Sequence, residues 1–269
     1  MKRHSGIHPV KPHSKVRLAH IDPGRLGSLT TREASLPVLV QRREEIARLQ
    51  EIFYASQQHA LLIILEGMDT AGKDGTISHI FENVNPQGCD VTSFKVPTPL
   101  EARHDFLWRA HAAVPPLGMI GIFNRSHYED VLSPRVHKHI TAKTVRQRFK
   151  DILAFERSLA DNGVTILKFF LHISHAEQTR RLQERIDTPG KQWKLSAADF
   201  AEREFWDEYQ TAYDDLLSAT SRKYAPWFVV PADHKWHRNV AISEILVETM
   251  RGLKLKYPPP TLDPTTIKL

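Results

Sequence analysis

Residues 60–75 read Ala-Leu-Leu-Ile-Ile-Leu-Glu-Gly-Met-Asp-Thr-Ala-Gly-Lys-Asp-Gly. A continuous apolar run passes straight into a glycine-rich turn and a lysine. That order, buried strand, turn, then helix, is the order of a phosphate-binding loop. It constrains the fold strongly, because the strand needs a core on both sides. The helix that follows must also aim its N-terminal amides at an anion. Gly67 and Gly72 permit positive φ and close backbone approach. Lys73 supplies the charge that follows phosphate oxygens.

The loop departs from the usual G-x-x-x-x-G-K-[ST] pattern at one place. Asp74 follows Lys73, Thr76 lies two residues further on, and Asp69 sits inside the loop. The phosphate-binding segment is therefore read as Gly67, Met68, Asp69, Thr70, Ala71, Gly72, Lys73, Asp74, Gly75 and Thr76. A carboxylate beside phosphates is tolerable mainly when a divalent cation intervenes. Asp69 is thus expected to take part of the metal-holding role. The competing reading, a plain turn with a salt-bridged lysine, fits poorly behind a buried strand.

Further apolar runs at residues 90–97, 118–123, 164–173 and 226–231 read as strands. Segments with helical spacing lie at 38–57, 73–84, 99–112, 142–160 and 239–253, and a long polar, largely helical stretch at 176–221 is broken near Thr188-Pro189-Gly190. Uniformly apolar strands alternating with helices imply an α/β fold, a five-stranded parallel sheet covered on both faces. Ligands of such sheets bind at the C-terminal strand ends. The expected organisation is a basic irregular arm at 1–35, a P-loop domain at 36–255 with a lid near 176–200, and a Pro-rich tail at 256–269.

With 41% hydrophobic and 25% charged residues, the chain is expected to be globular. No apolar run approaches the roughly 18 residues of a membrane span. The basic start Met-Lys-Arg-His lacks the apolar stretch of a secretory signal. A single cysteine, Cys89, excludes an intrachain disulfide and reads as a packing residue. A cytoplasmic location is expected. The net charge of +6 favours polyanionic partners. Seven Lys and Arg against one acid, Asp22, in residues 1–32 mark a mobile arm.

Several loops should meet at the strand ends. After the third strand comes Asn124-Arg125-Ser126-His127-Tyr128-Glu129-Asp130. Asn124 suits weak metal coordination or positioning of a nucleophile. Glu129 either serves as an active carboxylate or belongs to the first turn of a helix, where the dipole favours acids. Asp130 reads as structural. Arg125 suits bidentate phosphate binding, against the alternative of an ion pair. After the fourth strand, Arg180, Arg181 and Arg185, followed by Lys191, read as a mobile cationic lid; a solvated helix is the alternative. Lys95, Thr98, Arg103 and Arg109, after the second strand, are candidates for an acceptor-nucleotide pocket. Trp108 reads as core. Scattered histidines lack ligand spacing and accompanying cysteines, so no structural zinc is expected.

Gly67-Met-Asp-Thr-Ala-Gly-Lys-Asp-Gly75, Phe94-Lys-Val-Pro-Thr-Pro99, His104-Asp-Phe-Leu-Trp-Arg109, Phe123-Asn-Arg-Ser-His-Tyr-Glu-Asp-Val-Leu132 and Ala225-Pro-Trp-Phe-Val-Val-Pro-Ala-Asp233 together resemble the polyphosphate kinase 2 family, over roughly residues 35–255. The resemblance implies a thymidylate-kinase-like P-loop kinase fold with a helical lid. It implies phosphoryl transfer between inorganic polyphosphate and nucleotides, dependent on Mg²⁺ or Mn²⁺. By this resemblance Asp69 is the loop carboxylate near metal and acceptor, with Asn124 or Glu129 as further metal contacts. Lys73 is the phosphate-gripping lysine, Arg125 the arginine after the third strand, and Arg180, Arg181 and Arg185 the lid side. Many members carry Asp-Arg where this chain has Asn124-Arg125. The Asn form with Glu129 resembles the subgroup that accepts both AMP and ADP, giving ATP in two steps. Guanine nucleotides are additional candidates, and a homo-oligomer is expected, with neither a membrane nor a specific nucleic acid as partner. Two alternatives remain at this point: an ATP-dependent nucleoside monophosphate kinase, and a P-loop protein that binds nucleic acid through its basic arm.

Overall fold

A computed structural model describes residues 4–263, 265 and 267. The central strand β1 (Ala60–Glu66) is buried at every position. Around it lie β2 (Cys89–Ser93), β3 (Ile120–Asn124), β4 (Val164–His172) and β5 (Trp227–Pro231). The sheet order is β2-β3-β1-β4-β5 and every pairing is parallel. The register sets Leu65 beside Asn124 on one side and Phe169 on the other, so the loops after β1, β3 and β4 emerge together. Parallel strands buried on both faces need helices above and below, which explains why their sequences are apolar throughout.

The helices are α1 (Arg32–Ser56), α2 (Lys73–Ile80), α3 (Trp108–Ala112), α4 (Glu129–Val136), α5 (Ala142–Asp161), α6 (His175–Asp187), α7 (Ala197–Arg203), α8 (Trp206–Thr220) and α9 (Lys235–Gly252). α1 packs along α9, while α5 packs on β4. In α5, Val145, Phe149, Ile152, Phe155 and Leu159 are buried at the three-to-four spacing that puts them on one face. Thr141 caps this helix by accepting from the Thr144 amide. Within the core, the Lys168 ammonium donates to Glu156, the Tyr128 hydroxyl and the Thr220 carbonyl, tying β4 to α5.

Four features differ from the sequence expectation. The helix expected at 99–112 is interrupted: Thr98 and Glu101 cap each other around a short 3-10 turn at Glu101–Arg103, and Asp105 restarts the chain by accepting from Leu107. Only α3 remains helical, ended by Pro115 and Pro116. Second, α1 starts at Arg32, capped by Thr31, and accommodates Pro37 in its second turn. Third, the stretch after β4 is helical and breaks at the 3-10 turn Pro189–Lys194 as expected, but a second break between α7 and α8 divides it into three helices.

The fourth difference is the arm. It is irregular, with one 3-10 turn at Leu18–His20, but it is docked rather than mobile. Val10 donates to the Trp227 carbonyl at 2.8 Å and Leu18 to Asp214 at 2.7 Å. Ile7, Val16 and Leu18 are buried. These apolar residues, interleaved with the basic ones, outweigh the charge asymmetry. Residues 1–3 of the arm and 264, 266, 268 and 269 of the Pro-rich tail lie outside the described residues.

Candidate active site

The loop between β1 and α2 turns through three positive-φ residues, Gly67 (148°), Thr70 (66°) and Gly72 (100°). Glycine at 72 is also a matter of space, because a Cβ there would lie 2.0 Å from Arg238 Nη1. Two buried arginines hold the loop from behind. Arg181 Nη1 donates to the Thr70 and Ala71 carbonyls, both at 2.9 Å, and Arg238 Nη1 donates to Ala71 at 3.1 Å. Arg181 Nη2 reaches the Ala232 carbonyl as well. Carbonyl oxygens repel a bound anion, so anchoring them to guanidinium groups favours the loop's phosphate-ready shape. Burial, with Arg181 nearby, lowers the Arg238 pKa to about 9.

Lys73 is buried and donates to the Gly67 carbonyl at 2.7 Å and to Met68 at 3.4 Å. Burial, and then repulsion from Arg125, pulls its pKa down, against Asp69, Glu129 and Glu66. Thr76 donates to the Gly72 carbonyl at 3.0 Å. Asp74, the residue in place of the usual hydroxyl, accepts from Asn124 Nδ2 at 2.6 Å. The two unusual positions of the sequence therefore form one contact.

Arg125 occupies the left-handed region (φ 59°), uncommon outside glycine and a recurrent form of strain at functional sites. This backbone turn sends its guanidinium across β1 to Asp69, Nη2 to Oδ1 2.5 Å. Burial works against its charge, but Glu129 and Asp69 outweigh that and hold its pKa above the ordinary value. Beneath the pair, Glu66 ends the apolar β1 with a fully buried carboxyl that accepts from Ser126 Oγ at 2.7 Å. Burial, and next the Glu129 charge, raises its pKa well above the ordinary carboxylate value.

A cleft of about 470 Å³ opens at these strand ends. The loop lines it through Gly67, Met68 and Asp69, the turn after β3 through Arg125 and Glu129, and the turn after β2 through Lys95 and Arg109. Helix α7 forms one side through Asp199, Glu202 and Arg203. Burial, then the charge of Asp69, raises the pKa of Asp199, which places the lid's acid in the field of the loop's acid.

Other expected residues sit elsewhere. Thr98 is occupied in its cap, and Arg103 is exposed on the 3-10 turn; neither lines the cleft. Arg109 lines it but is committed to Asp130 at 2.8 Å and to the Lys95 carbonyl at 2.7 Å. Of the lid cations, Arg181 is turned inward under the loop. Arg180 is exposed and paired with Glu177 and Glu184, Arg185 pairs with Asp199 at 3.0 Å, and Lys191 pairs with Glu184. None of the four lines the cleft. Glu129 both begins α4 and lines the cleft, so the two readings of it coincide. Trp108 is not core: it is 38% exposed and stacked on His104 with ring centroids 4.2 Å apart. Cys89 is half-buried, its thiol pushed up to about 11 by burial and Asp90.

Glu66, Arg203 and Arg238 were missed by sequence reasoning. A glutamate closing an otherwise apolar strand was a readable signal for Glu66. Arg238 had none, since its contact with the loop spans more than 160 residues of chain. Among the described residues, no group of three or more His, Cys, Asp or Glu side chains forms a metal cage. Mg²⁺ commonly uses one or two carboxylates plus substrate phosphates. Asp69 and Glu129, hard oxygen donors on the cleft wall, fit that mode. No helix among the described residues is long and apolar enough to cross a membrane.

A glycine-rich loop at the C-terminal end of the central strand of a parallel sheet, with a buried lysine and a helical cover, defines a P-loop kinase-type fold. The chain belongs to the polyphosphate kinase 2 family, whose sequence profile matches residues 31–258. It is 48% identical over 252 residues to an AMP/ADP-polyphosphate phosphotransferase of Meiothermus ruber, covering 93% of this chain and 94% of that one. It is 46% identical over 230 residues to an ADP-polyphosphate phosphotransferase of Rhodopseudomonas palustris, covering 81% and 80%. The crystal structure of polyphosphate kinase 2 from Arthrobacter aurescens superposes with a TM-score of 0.91 at 40% identity, over 97% of this chain and 96% of that one.

Proposed function

We propose that the chain is a phosphotransferase that moves phosphoryl groups between inorganic polyphosphate and nucleoside mono- and diphosphates, taking AMP to ADP and ADP to ATP. The observation that carries this reading is the Asp69–Arg125 pair, which sets one carboxylate and one guanidinium in the cleft beside the phosphate loop. The names of the Meiothermus and Rhodopseudomonas relatives support the donor and both acceptors.

The chemistry needs cations more than a base. The attacking oxygen of the acceptor phosphate is already ionised, and the transition state spreads charge over the transferring group. One P–O bond forms to the acceptor as one P–O bond of the polymer breaks, leaving a polymer shorter by one phosphate. In this reading the loop amides and Lys73 grip the phosphates, Lys73 exchanging its carbonyl partners for phosphate oxygens. Arg125 neutralises charge at the transferring group. Asp69 and Glu129 would hold Mg²⁺ or Mn²⁺, which would supply charge neutralisation at the phosphates. Asn124 gives Asp74 a neutral amide donor in place of a second carboxylate. Lys95 and Arg109 border the acceptor phosphate. Arg180, Arg185 and Lys191 are held by carboxylates with which a polyanion competes for these cations, which suits a lid that closes on its donor. Guanine nucleotides, a homo-oligomeric state and a cytoplasmic setting belong to the same reading.

The test is a phosphotransfer assay with Mg²⁺, long-chain polyphosphate and either AMP or ADP. ATP from ADP, with ADP and ATP from AMP, is expected. Product from ADP alone removes the dual acceptor range. No product from either, with ATP phosphorylating a monophosphate instead, removes polyphosphate as donor.

A further inference from the structure

A second cavity, of about 660 Å³, lies on the far side of α4 and α8 from the cleft. The docked arm forms one wall, the turn after α4 a second, and the first turns of α5 a third. Its floor is apolar, built on Val145, Phe149 and Ala219. Its rim is cationic. Lys15 from the arm, Lys138 after α4 and Arg146 from α5 all line it, and among the described residues none of the three has an ion-pair partner. The acid on the wall, Asp215, is already held by Arg135 at 2.5 Å. Two lining residues, His13 and Lys138, sit at positive φ (62° and 58°), so the wall is held in an unusual backbone shape on both sides.

We infer that this cavity is a second binding site for a nucleotide, distinct from the catalytic cleft. Three unpaired cations call for an anion of several charges. A bare phosphate polymer has no use for an apolar floor, whereas a nucleotide lays its base on one and its phosphates on the rim. The volume falls within the roughly 300–1,000 Å³ of small-molecule sites. The site also gives the basic arm a task, since Lys15 is part of the rim. Both shared walls reach the cleft: α4 presents Arg135 to the cavity and Ser133 and Pro134 to the cleft, and α8 presents Asp215 to the cavity and Tyr209 and Tyr213 to the cleft. A nucleotide that draws Arg135 from Asp215 therefore acts on helices that border the reaction.

The test is photolabelling of the full chain with azido-ATP and Mg²⁺, followed by peptide mapping. Because it reads binding, its outcome is separate from that of the phosphotransfer assay. Labelling is expected in the cleft and again within residues 138–149, the second blocked by ATP but not by tripolyphosphate. Lys138→Asn with Arg146→Gln, both exposed positions, should weaken the second labelling about tenfold or more through loss of two charge-assisted contacts, with cleft labelling retained. Lys15→Gln alone should weaken it in the same direction, and circular dichroism checks each fold. Labelling confined to the cleft, or unchanged in the double variant, overturns the inference. Displacement of the second label by tripolyphosphate makes the cavity a polymer site and overturns it equally.

Discussion

Asn124 at the end of β3 donates its amide to the Asp74 carboxylate at 2.6 Å, joining the end of β3 to the loop position where an acid replaces the usual Ser or Thr. An aspartate at 124 would set two carboxylates at contact distance. Asn124→Asp should therefore lose about 1 kcal/mol of stability at neutral pH and recover it when Mg²⁺ is added or the pH is lowered. Thermal melts at two pH values, with and without Mg²⁺, decide this. A variant that melts like the parent under every condition removes the contact's importance.

The Asp69–Arg125 pair yields the sharpest catalytic expectation. Arg125→Ala should lower kcat by about 10²–10³, the usual cost of losing one preorganised charge partner in a transition state. Asp69→Asn and Lys73→Ala should abolish turnover with the fold intact. Activity within about twofold of the parent excludes the altered residue from the mechanism, a twofold change being well under 1 kcal/mol.

Arg238 is expected to position the loop without touching substrate. Arg238→Met leaves Asn239 Oδ1 and part of the Ala71 carbonyl without their donor, at about 1–3 kcal/mol per buried orphan. The loop peptide should then exchange its amide hydrogens faster, and kcat should fall. Unaltered exchange at residues 67–76 would sink this assignment.

Glu66 gives a pH signature. Its folded-state pKa is raised, so the folded chain binds this proton more tightly than the unfolded chain does. The resulting stability is fully present below the unfolded value of about 4.5 and is lost as pH rises from there through the folded value. Glu66→Gln mimics the protonated carboxyl. It should melt like the parent near that lower limit and progressively higher than the parent as pH rises. A constant difference at all pH values contradicts the expectation.

The arm should respond in the opposite direction. His237 Nε2 accepts from the Gly27 amide at 3.2 Å, and burial lowers the pKa of His237 and of His172, whose ring contacts the Ile21 carbonyl. A depressed histidine pKa contributes stability that is present above the unfolded value of about 6.5 and lost as pH falls through the folded value. Amide protection over residues 18–28, taken relative to the intrinsic exchange rate at each pH, should fall on acidification below that range. His237→Gln, which keeps an acceptor without a titrating ring, should flatten the response, and an equally steep response in that variant assigns it elsewhere.

The sequence by itself determined the sheet and the loop. Apolar strands without alternation leave a parallel sheet covered on both faces as the stable arrangement, and Gly67 through Lys73 read as a glycine-rich turn and lysine at a strand end. Those readings rest on local chemistry, which a single chain displays openly. The tertiary structure decided which cations are free. Arg181 and Arg185 share a helix face in sequence, yet one lies under the loop on carbonyl oxygens and the other on Asp199. Thr98 and Arg103 read as acceptor contacts, but a local cap and a 3-10 turn keep them off the cleft. Arg238 and the docked arm were invisible because their partners are far along the chain. Guanidinium groups and apolar side chains choose partners by burial and by distance in space, and neither is written in the order of residues.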